Sequence, residues 1–305
     1  MDFVYILGSG SNWLDNELRY SLRSLKNVKD KIGKIWVVGK DSGFLKDVEH
    51  VPFPDDFKNK NQNALAKILF VCNEEPFLSE DFVLMNDDFY FLKPQPIKNR
   101  ARKSLKETLT DYRKRNINSK YVAAMENTVA YLENNNLPLV DYEVHYPLII
   151  NKEAFKKVFE NIDWKANPLL FRSVYGNSVK LKTTRIKEDC KAYNDDDLKR
   201  MQNKHFISSD DALTTSSGFQ EWINELFPEA SAWEGSNEIV KLEDFADPAK
   251  IEDRCLVRYL PNNPDSRGII NGKIVYPGEV HEVSKEDWDN KYKTKENYKL
   301  EVVNV

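Results

Sequence analysis

Through its first ninety-one residues the chain alternates short, unbroken apolar runs with segments of helical period, and few folds accept that order. Phe3 to Leu7 is apolar and stops at Gly8-Ser9-Gly10-Ser11, the pattern of a buried strand entering a loop. Asn16 to Leu25 then sets Leu18, Leu22 and Leu25 at helical spacing. Ile35 to Gly39 reads as a second buried strand and Val48 to Phe53 as a weaker third. Asn63 to Val71 (Ala64, Leu65, Ile68, Leu69) reads as a second helix, leading to the strand that ends at Asn86-Asp87-Asp88. Strand and helix in this order predict an α/β fold with a doubly wound sheet, whose functional edge is the C-terminal ends of its strands.

A length of 305 residues allows one large α/β domain with a small appendage, or two domains. With 41% hydrophobic residues a substantial core is feasible, which excludes global disorder. Lys+Arg 45 against Asp+Glu 49 leaves a net charge of -4, so the chain is not a dedicated nucleic-acid binder, although a local basic face is compatible with it. Cys72, Cys190 and Cys255 are widely spaced with no CxxC, so at least one is unpaired within the chain. Buried thiols in a reducing compartment are expected, and a structural zinc site has no support. Met1 to Gly8 lacks a basic region followed by a long apolar one, so no signal peptide is read there. No apolar run reaches the roughly 20 residues of a membrane span, and a soluble, cytoplasmic protein is expected.

Beyond Pro94 the chain turns polar and basic up to Asn136, with helical patterns near Ser104 to Arg113 and Tyr121 to Leu132. This reads as a helical insertion (94–136) in a main domain of residues 1–236. Val140 to Ile150 has strand character around His145, and Glu153 to Phe159 is helical. Leu169 to Tyr175 and Val179 to Ile186 read as strands parted by a Gly176-Asn177 turn. Cys190 to Lys204 reads as loop or exposed helix. Phe206-Ile207-Ser208-Ser209-Asp210-Asp211 is a second strand ending in two carboxylates, with a helix at Gly218 to Leu226 after it. Asn237 to Ala249 reads as a linker, and 250–305 as a small β appendage around Asn271-Gly272 and Pro277-Gly278 turns.

The chemistry concentrates at the strand tips. Asp87 and Asp88 are hard oxygen ligands where open sheets bind ligands, able to hold a Mg²⁺ or Mn²⁺ that would clamp a diphosphate. An ordinary acidic turn is the competing reading. Asp210 and Asp211 would complete the site from the other side, Asp210 as a further metal ligand, with a helix N-cap as the alternative. Arg19 and Arg23 share one helix face, and their guanidinium forks suit phosphate oxygens. A solvated face paired to Asp15 or Glu17 is the alternative. His145, flanked by Tyr142, Val144, Tyr146 and Leu148, is a general-base candidate or a structural histidine. Asn61 and Asn63 can bond sugar hydroxyls or cap a helix, and Arg172 is a further phosphate-contact candidate.

Several segments, in order, carry a resemblance. They are Asp2-Phe3-Val4-Tyr5, Glu17-Leu18-Arg19-Tyr20-Ser21-Leu22-Arg23-Ser24-Leu25, Asn61-Gln62-Asn63-Ala64-Leu65, and Leu78-Ser79-Glu80-Asp81-Phe82 running into Asn86-Asp87-Asp88-Phe89. His145-Tyr146-Pro147, Phe171-Arg172-Ser173 and Phe227-Pro228-Glu229-Ala230-Ser231-Ala232-Trp233-Glu234 follow. Together, over Met1 to Glu234, the chain resembles the Stealth family of capsule and wall sugar-phosphate transferases, which are related to the lysosomal-enzyme N-acetylglucosamine phosphotransferase. The resemblance implies a GT-A-like fold, a nucleotide-sugar donor such as a UDP-sugar, a hydroxyl acceptor on a glycan or other polymer, and a divalent cation. His145, Asp88 and Asp211 would be catalytic. The chain departs from the family at Ser9 and Asn12, where the loop after the first strand usually carries acids, and at Ser208-Ser209, where Asn often precedes the acids.

Three functions follow as expectations. The first is sugar-1-phosphate transfer with release of a nucleoside monophosphate. The second is a GT-A glycosyltransferase that moves the sugar itself to a glycan, a protein or a modified DNA base and releases a nucleoside diphosphate. The third is a non-catalytic carbohydrate-binding or virion decoration protein. Lys98 to Arg115, being basic, could face a polyanionic acceptor.

Overall fold

The computed structural model describes residues 1–114 and 119–235, together with the backbone of short strands between residues 254 and 302; side chains are described for 1–111 and 121–235. The chain divides into two compact units, Met1–Asn237 and Glu238–Val305.

The first unit is α/β, built on a five-stranded sheet of β1 (Asp2–Leu7), β2 (Ile35–Gly39), β3 (Glu49–Pro52), β4 (Asp81–Met85) and β7 (Leu148–Asn151), in the order β3-β2-β1-β4-β7. The first four run parallel and β7 is antiparallel at the edge, with Phe82 opposite Ile150. Because side chains alternate across a strand, each central strand serves two cores. Phe3, Tyr5, Ile35, Val37, Val83 and Met85 face one core with Leu18 and Leu22 of α1 (Asn16–Ser24) and with Leu25 just after it. Val4, Trp36, Val38, Phe82 and Leu84 face the other, with Leu65, Ile68 and Val71 of α2 (Lys60–Glu74) and Phe155 of α4 (Lys152–Phe159). The chain leaves β1 toward β2 through α1, and crosses back from β3 to β4 through α2. Right-handed crossovers in opposite directions put the two helices on opposite faces and open a crevice between the ends of β1 and β4.

A smaller sheet sits beyond that crevice. Its strands are β5 (Phe89–Phe91), β9 (Lys191–Ala192) and β10 (Phe206–Ser209), in the order β5-β10-β9, with β10 antiparallel to β5 and parallel to β9. Since β5 starts one residue after Asp88, this sheet brings the second acidic strand end beside the first.

Three local expectations are corrected. Ser104 to Arg113 is not one helix: Lys103–Leu105 is a strand (β6) paired in parallel with β8 (Thr184–Ile186), and Leu109–Lys114 is 3-10 helix. The second expected helix of the insertion is present as α3 (Ser119–Asn134). Leu169 to Tyr175 is not a strand but lies largely in α5 (Phe171–Ser178), which also replaces the Gly176-Asn177 turn. Residues 171 to 177 are all buried, so no polar face marks the helical period. Gly176 is needed within it because a Cβ there would meet the Tyr142 ring at 2.7 Å. His145 lies in the loop before β7 rather than on it. Cys190 to Lys204 contains β9 and α6 (Asp195–Met201), capped by Asn194.

In the second unit β11 (Arg254–Tyr259) lies between β14 (Val280–Ser284) and β15 (Leu300–Val302), antiparallel to both, and β12 (Gly268–Ile270) pairs with β13 (Lys273–Val275). The expected linker at 237–249 and the turns at 271–272 and 277–278 lie outside the described residues. Cys72 and Cys190 are free and buried. Among the described residues no helix is long and apolar enough to cross a membrane.

Candidate functional site

The crevice at the ends of β1 and β4 is a cavity of about 880 Å³, a size that accepts a nucleotide-sized ligand. Its walls include Gly8 to Ser11 after β1, Asn86 to Asp88 after β4, Asn61 and Asn63 of α2, the loop of Glu143 to His145, Arg172, Lys191 and Asp211. Seven of the residues expected from sequence therefore meet in one hollow: Asp87, Asp88, His145, Arg172, Asn61, Asn63 and Asp211.

The loop after β1 is tied down from below. Lys67, fully buried on α2, donates to the Leu7 carbonyl (2.8 Å) and pairs with Asp55 (2.5 Å), whose other oxygen accepts from the Ser9 backbone N–H (3.2 Å). Close packing under this loop demands Gly39: its φ is +135°, and a Cβ would stand 1.9 Å from the Leu7 oxygen.

Asp88 accepts from the Ser208 hydroxyl at 2.8 Å, and the Lys191 ammonium lies 3.7 Å from the same oxygen. Its other oxygen, Oδ1, is buried without a hydrogen-bond partner. Burial holds the Asp87 carboxyl well above the ordinary carboxylate range, reinforced by the charges of Asp88, Glu17 and Asp15. Glu17, buried and accepting from Ser11 Oγ at 2.8 Å, is pushed up to about 7, chiefly by burial. The cavity floor thus gathers more carboxyl groups than its neighbours can keep ionised, and Asp88 Oδ1 is left without a hydrogen-bond partner.

His145 is clamped at three points. Its backbone N–H donates to Asp189 Oδ1 (3.0 Å), its carbonyl accepts from Cys190 Sγ (2.8 Å), and its ring Nδ1 bonds Asp189 Oδ2 (2.5 Å). Burial alone would raise the Asp189 carboxyl, but the hydrogen bond and charge of His145 and the backbone N–H groups hold it below the usual range. An ionised Asp189 can only accept, so Nδ1 carries the proton and Nε2 is the basic nitrogen. The His145 side chain keeps 32% of its surface exposed, enough for a reacting hydroxyl to approach.

Arg172 enters from the first turn of α5. Its guanidinium donates to the Tyr146 carbonyl (2.7 Å) and reaches the Val144 carbonyl and Asn86 Oδ1 (both 3.5 Å). Burial holds it below the usual arginine value against the pull of Glu143, Asp189 and Asp88. Glu143, itself raised by burial, accepts from the backbone N–H and hydroxyl of Ser173 (both 2.9 Å).

Other expected residues are placed differently. Arg19 and Arg23 do share a face of α1, but that face is buried outside the cavity. Arg19 Nη1 donates to Glu234 at 3.2 Å, and Arg23 donates to it through Nε (3.0 Å) and Nη2 (2.9 Å) and to the Phe227 carbonyl through Nη1 (3.1 Å). The Arg19 guanidinium also stacks 3.8 Å over the Phe44 ring. Their expected phosphate role is corrected: a buried carboxylate, 211 residues away from Arg23, already occupies both forks. Asp210, expected as a metal ligand with a helix N-cap as the alternative, is not among the residues lining the cavity. It N-caps the short helix α7 (Asp211–Thr214) by accepting from the Ala212 N–H (3.1 Å), and its other oxygen faces Lys191 at 3.8 Å. Asn63 spends its amide on Phe57, donating to its carbonyl and accepting from its N–H (both 2.8 Å). The Asn61 N–H is capped by Asn59 (2.9 Å).

No three His, Cys, Asp or Glu residues converge as a ligand set among the described residues. The groups present still fit a Mg²⁺ or Mn²⁺ shared with a phosphate ligand, an arrangement that needs only one or two carboxylates. The Asp88 Oδ1, buried without a hydrogen-bond partner, and the crowded Asp87 would be those carboxylates.

Sequence reasoning passed over Asp189, Lys191, Glu143 and Lys67. Asp189 and Lys191 lie in a charged stretch with no motif, and what distinguishes them is the partner each meets in space.

No protein-family model matches the sequence, and neither does any curated protein. Among solved structures, the chain is similar to the galactosyltransferase LgtC in complex with donor and acceptor sugar analogs (10% identity, 81% of this chain and 99% of that one, TM-score 0.40). It is also similar to mouse xyloside xylosyltransferase 1 (8% identity, 68% and 97%, TM-score 0.36). A third is a glycosyltransferase involved in the glycosylation of the major capsid of PBCV-1 (8% identity, 74% and 98%, TM-score 0.36). Overlaps this loose transfer no residue's role, and the chemistry below stands on this chain's own side chains.

Proposed function

We propose that this chain is a GT-A-like transferase that takes a nucleotide-sugar donor, of which a UDP-sugar is the foremost candidate, and moves sugar-1-phosphate to an acceptor hydroxyl, as the Stealth resemblance implies. The observation that carries the reading is the convergence, at the sheet's switch point, of Asp87 and Asp88 with the His145–Asp189 pair and the Arg172 guanidinium. His145 Nε2 takes the proton of the acceptor hydroxyl while Asp189 holds the ring and stabilises the imidazolium. The hydroxyl oxygen bonds to the donor's β-phosphorus. The bond from that phosphorus to the bridging oxygen breaks, and its electron pair leaves on the nucleoside monophosphate. A guanidinium beside the base favours phosphorus as the electrophile, because Arg172 can meet the charge that gathers on phosphoryl oxygens. Asp87 and Asp88 would hold a Mg²⁺ or Mn²⁺, which when bound neutralises the diphosphate. Asn61 and the loop Gly8 to Ser11 line the same hollow and suit the donor's polar groups, while Asp211, exposed at the rim, faces the acceptor side.

Incubation with UDP-sugars and Mg²⁺ or Mn²⁺, followed by chromatography of the released nucleotide, tests this. UMP is expected. UDP would replace phosphoryl transfer with transfer of the sugar itself, and release of neither from any donor would refute the enzymatic reading.

A further inference from the structure

Two basic stretches that are far apart in sequence meet in space, and the site described above uses neither. Residues 98–106 hold five lysines and arginines, residues 180–187 hold four, and neither stretch contains an acid. Strand β6 from the first pairs in parallel with β8 from the second, Ser104 opposite Arg185, and the Thr184 N–H donates to the Arg102 carbonyl at 3.0 Å. Strand spacing then sets the two backbones about 5 Å apart, which brings the two cation-bearing stretches side by side. Arg102, Lys106, Lys182, Arg185 and Lys187 are exposed. None of the nine forms an ion pair with a carboxylate among the described residues. Lys103 sits half-buried beside Arg100; burial first, then the Arg100 charge, holds its ammonium below the usual lysine value.

This concentration is not a by-product of composition. With nine of the 45 cations gathered here and the net charge at -4, the rest of the chain carries thirteen negative charges net. Like charges held together on a folded ribbon cost free energy that a bound polyanion returns. The ribbon also leads to the base. Lys106 N–H donates to the Ile186 carbonyl (2.8 Å), the Leu105 N–H to the Asp141 carbonyl (2.9 Å), and three residues past β8 stands Asp189, bonded to His145.

We infer that the β6–β8 ribbon docks an anionic glycan polymer, whose chain it feeds toward His145. The polymer's identity as acceptor rests on the transferase reading; the docking itself does not. Nucleic acid fits less well. Neither basic stretch contains an aromatic residue on which a base could stack, and the acidic remainder of the surface repels a long duplex. A glycan carrying phosphates or carboxylates needs only spaced cations and no stacking platform.

Fluorescently labelled heparin oligosaccharide serves as the probe, with single-stranded oligonucleotide of equal length and neutral dextran as the other arms. Binding of heparin but not dextran is expected, weakening roughly tenfold or more between 50 and 200 mM salt through loss of counterion release. Arg102→Glu/Lys106→Glu/Arg185→Glu should weaken it at least tenfold and leave UDP binding unchanged. The milder Arg102→Gln/Lys106→Gln/Arg185→Gln carries the same test should the reversal variant fold poorly. Heparin binding equal in wild type and both variants, none at 50 mM salt, or tighter binding of the oligonucleotide would overturn the inference. Absence of nucleotide release in the donor assay would instead remove the transferase reading and leave the docking result standing.

Discussion

Replacing Glu234 by Ala should unfold the first unit at a markedly lower temperature. The Glu234 side chain is fully buried, with the Arg19 and Arg23 side chains 5% and 1% exposed beside it. It accepts from Arg19 Nη1, Arg23 Nε and Nη2, and the Ser231 N–H at 2.8 Å. Desolvating three charges is costly, and the cluster is tolerable only because one carboxylate satisfies two guanidiniums. Removing that carboxylate strands two buried cations, a loss of about 3–5 kcal/mol for a broken buried pair. For a unit spanning Met1–Asn237 each kcal/mol shifts the midpoint by about 2–4 °C, so a fall of roughly 6–20 °C is expected in calorimetry. The triple variant Arg19→Met/Arg23→Met/Glu234→Met, which removes all the charge and keeps most of the volume, should recover most of the loss. UDP affinity should be unchanged throughout. A loss under about 1 kcal/mol in Glu234→Ala would refute the reasoning. So would tighter UDP binding, since that would mean the freed arginines had been phosphate ligands held back by Glu234.

Asp189→Asn should keep the fold and cut turnover by roughly 10²–10⁴. The amide can donate to Nδ1 and so move the imidazole proton to Nε2, where no base is then left; a turnover within threefold of wild type would show that Asp189 does not set the tautomer. Glu17 titrates near 7 in the folded protein against 4.5 unfolded, a raised carboxyl. Its penalty is therefore absent below about pH 4.5, grows as pH rises through about 7 and is complete above, worth about 3 kcal/mol at most. Glu17→Gln should accordingly stabilise the protein at pH 8.5 and leave it nearly unchanged at pH 4.5 in denaturant titrations. An equal effect at both pH values would show that the Glu17 charge is compensated.

Local structure was legible wherever the chain's own geometry writes it into the residue order. The unbroken apolar runs of β1, β2 and β4 mark strands buried on both faces, and the leucines of α1 follow the helical period of 3.6, so the α/β class and the edge that carries the cavity could be read without any contact map. The place of Asp87 and Asp88 in the cavity wall followed from the same logic, because open sheets leave their crevice at strand ends. The helix α5 was illegible because burial on every side erased its period. His145 was legible as chemistry but not as an element, since its loop is held by hydrogen bonds to Asp189 and Cys190, more than forty residues on. Arg19 and Arg23 show the limit most plainly. Helical spacing put them on one face, but only the folded chain decided that the face meets Glu234 rather than a phosphate. Charges choose partners by distance, and long-range distances are fixed by how the two cores pack, which no local pattern records.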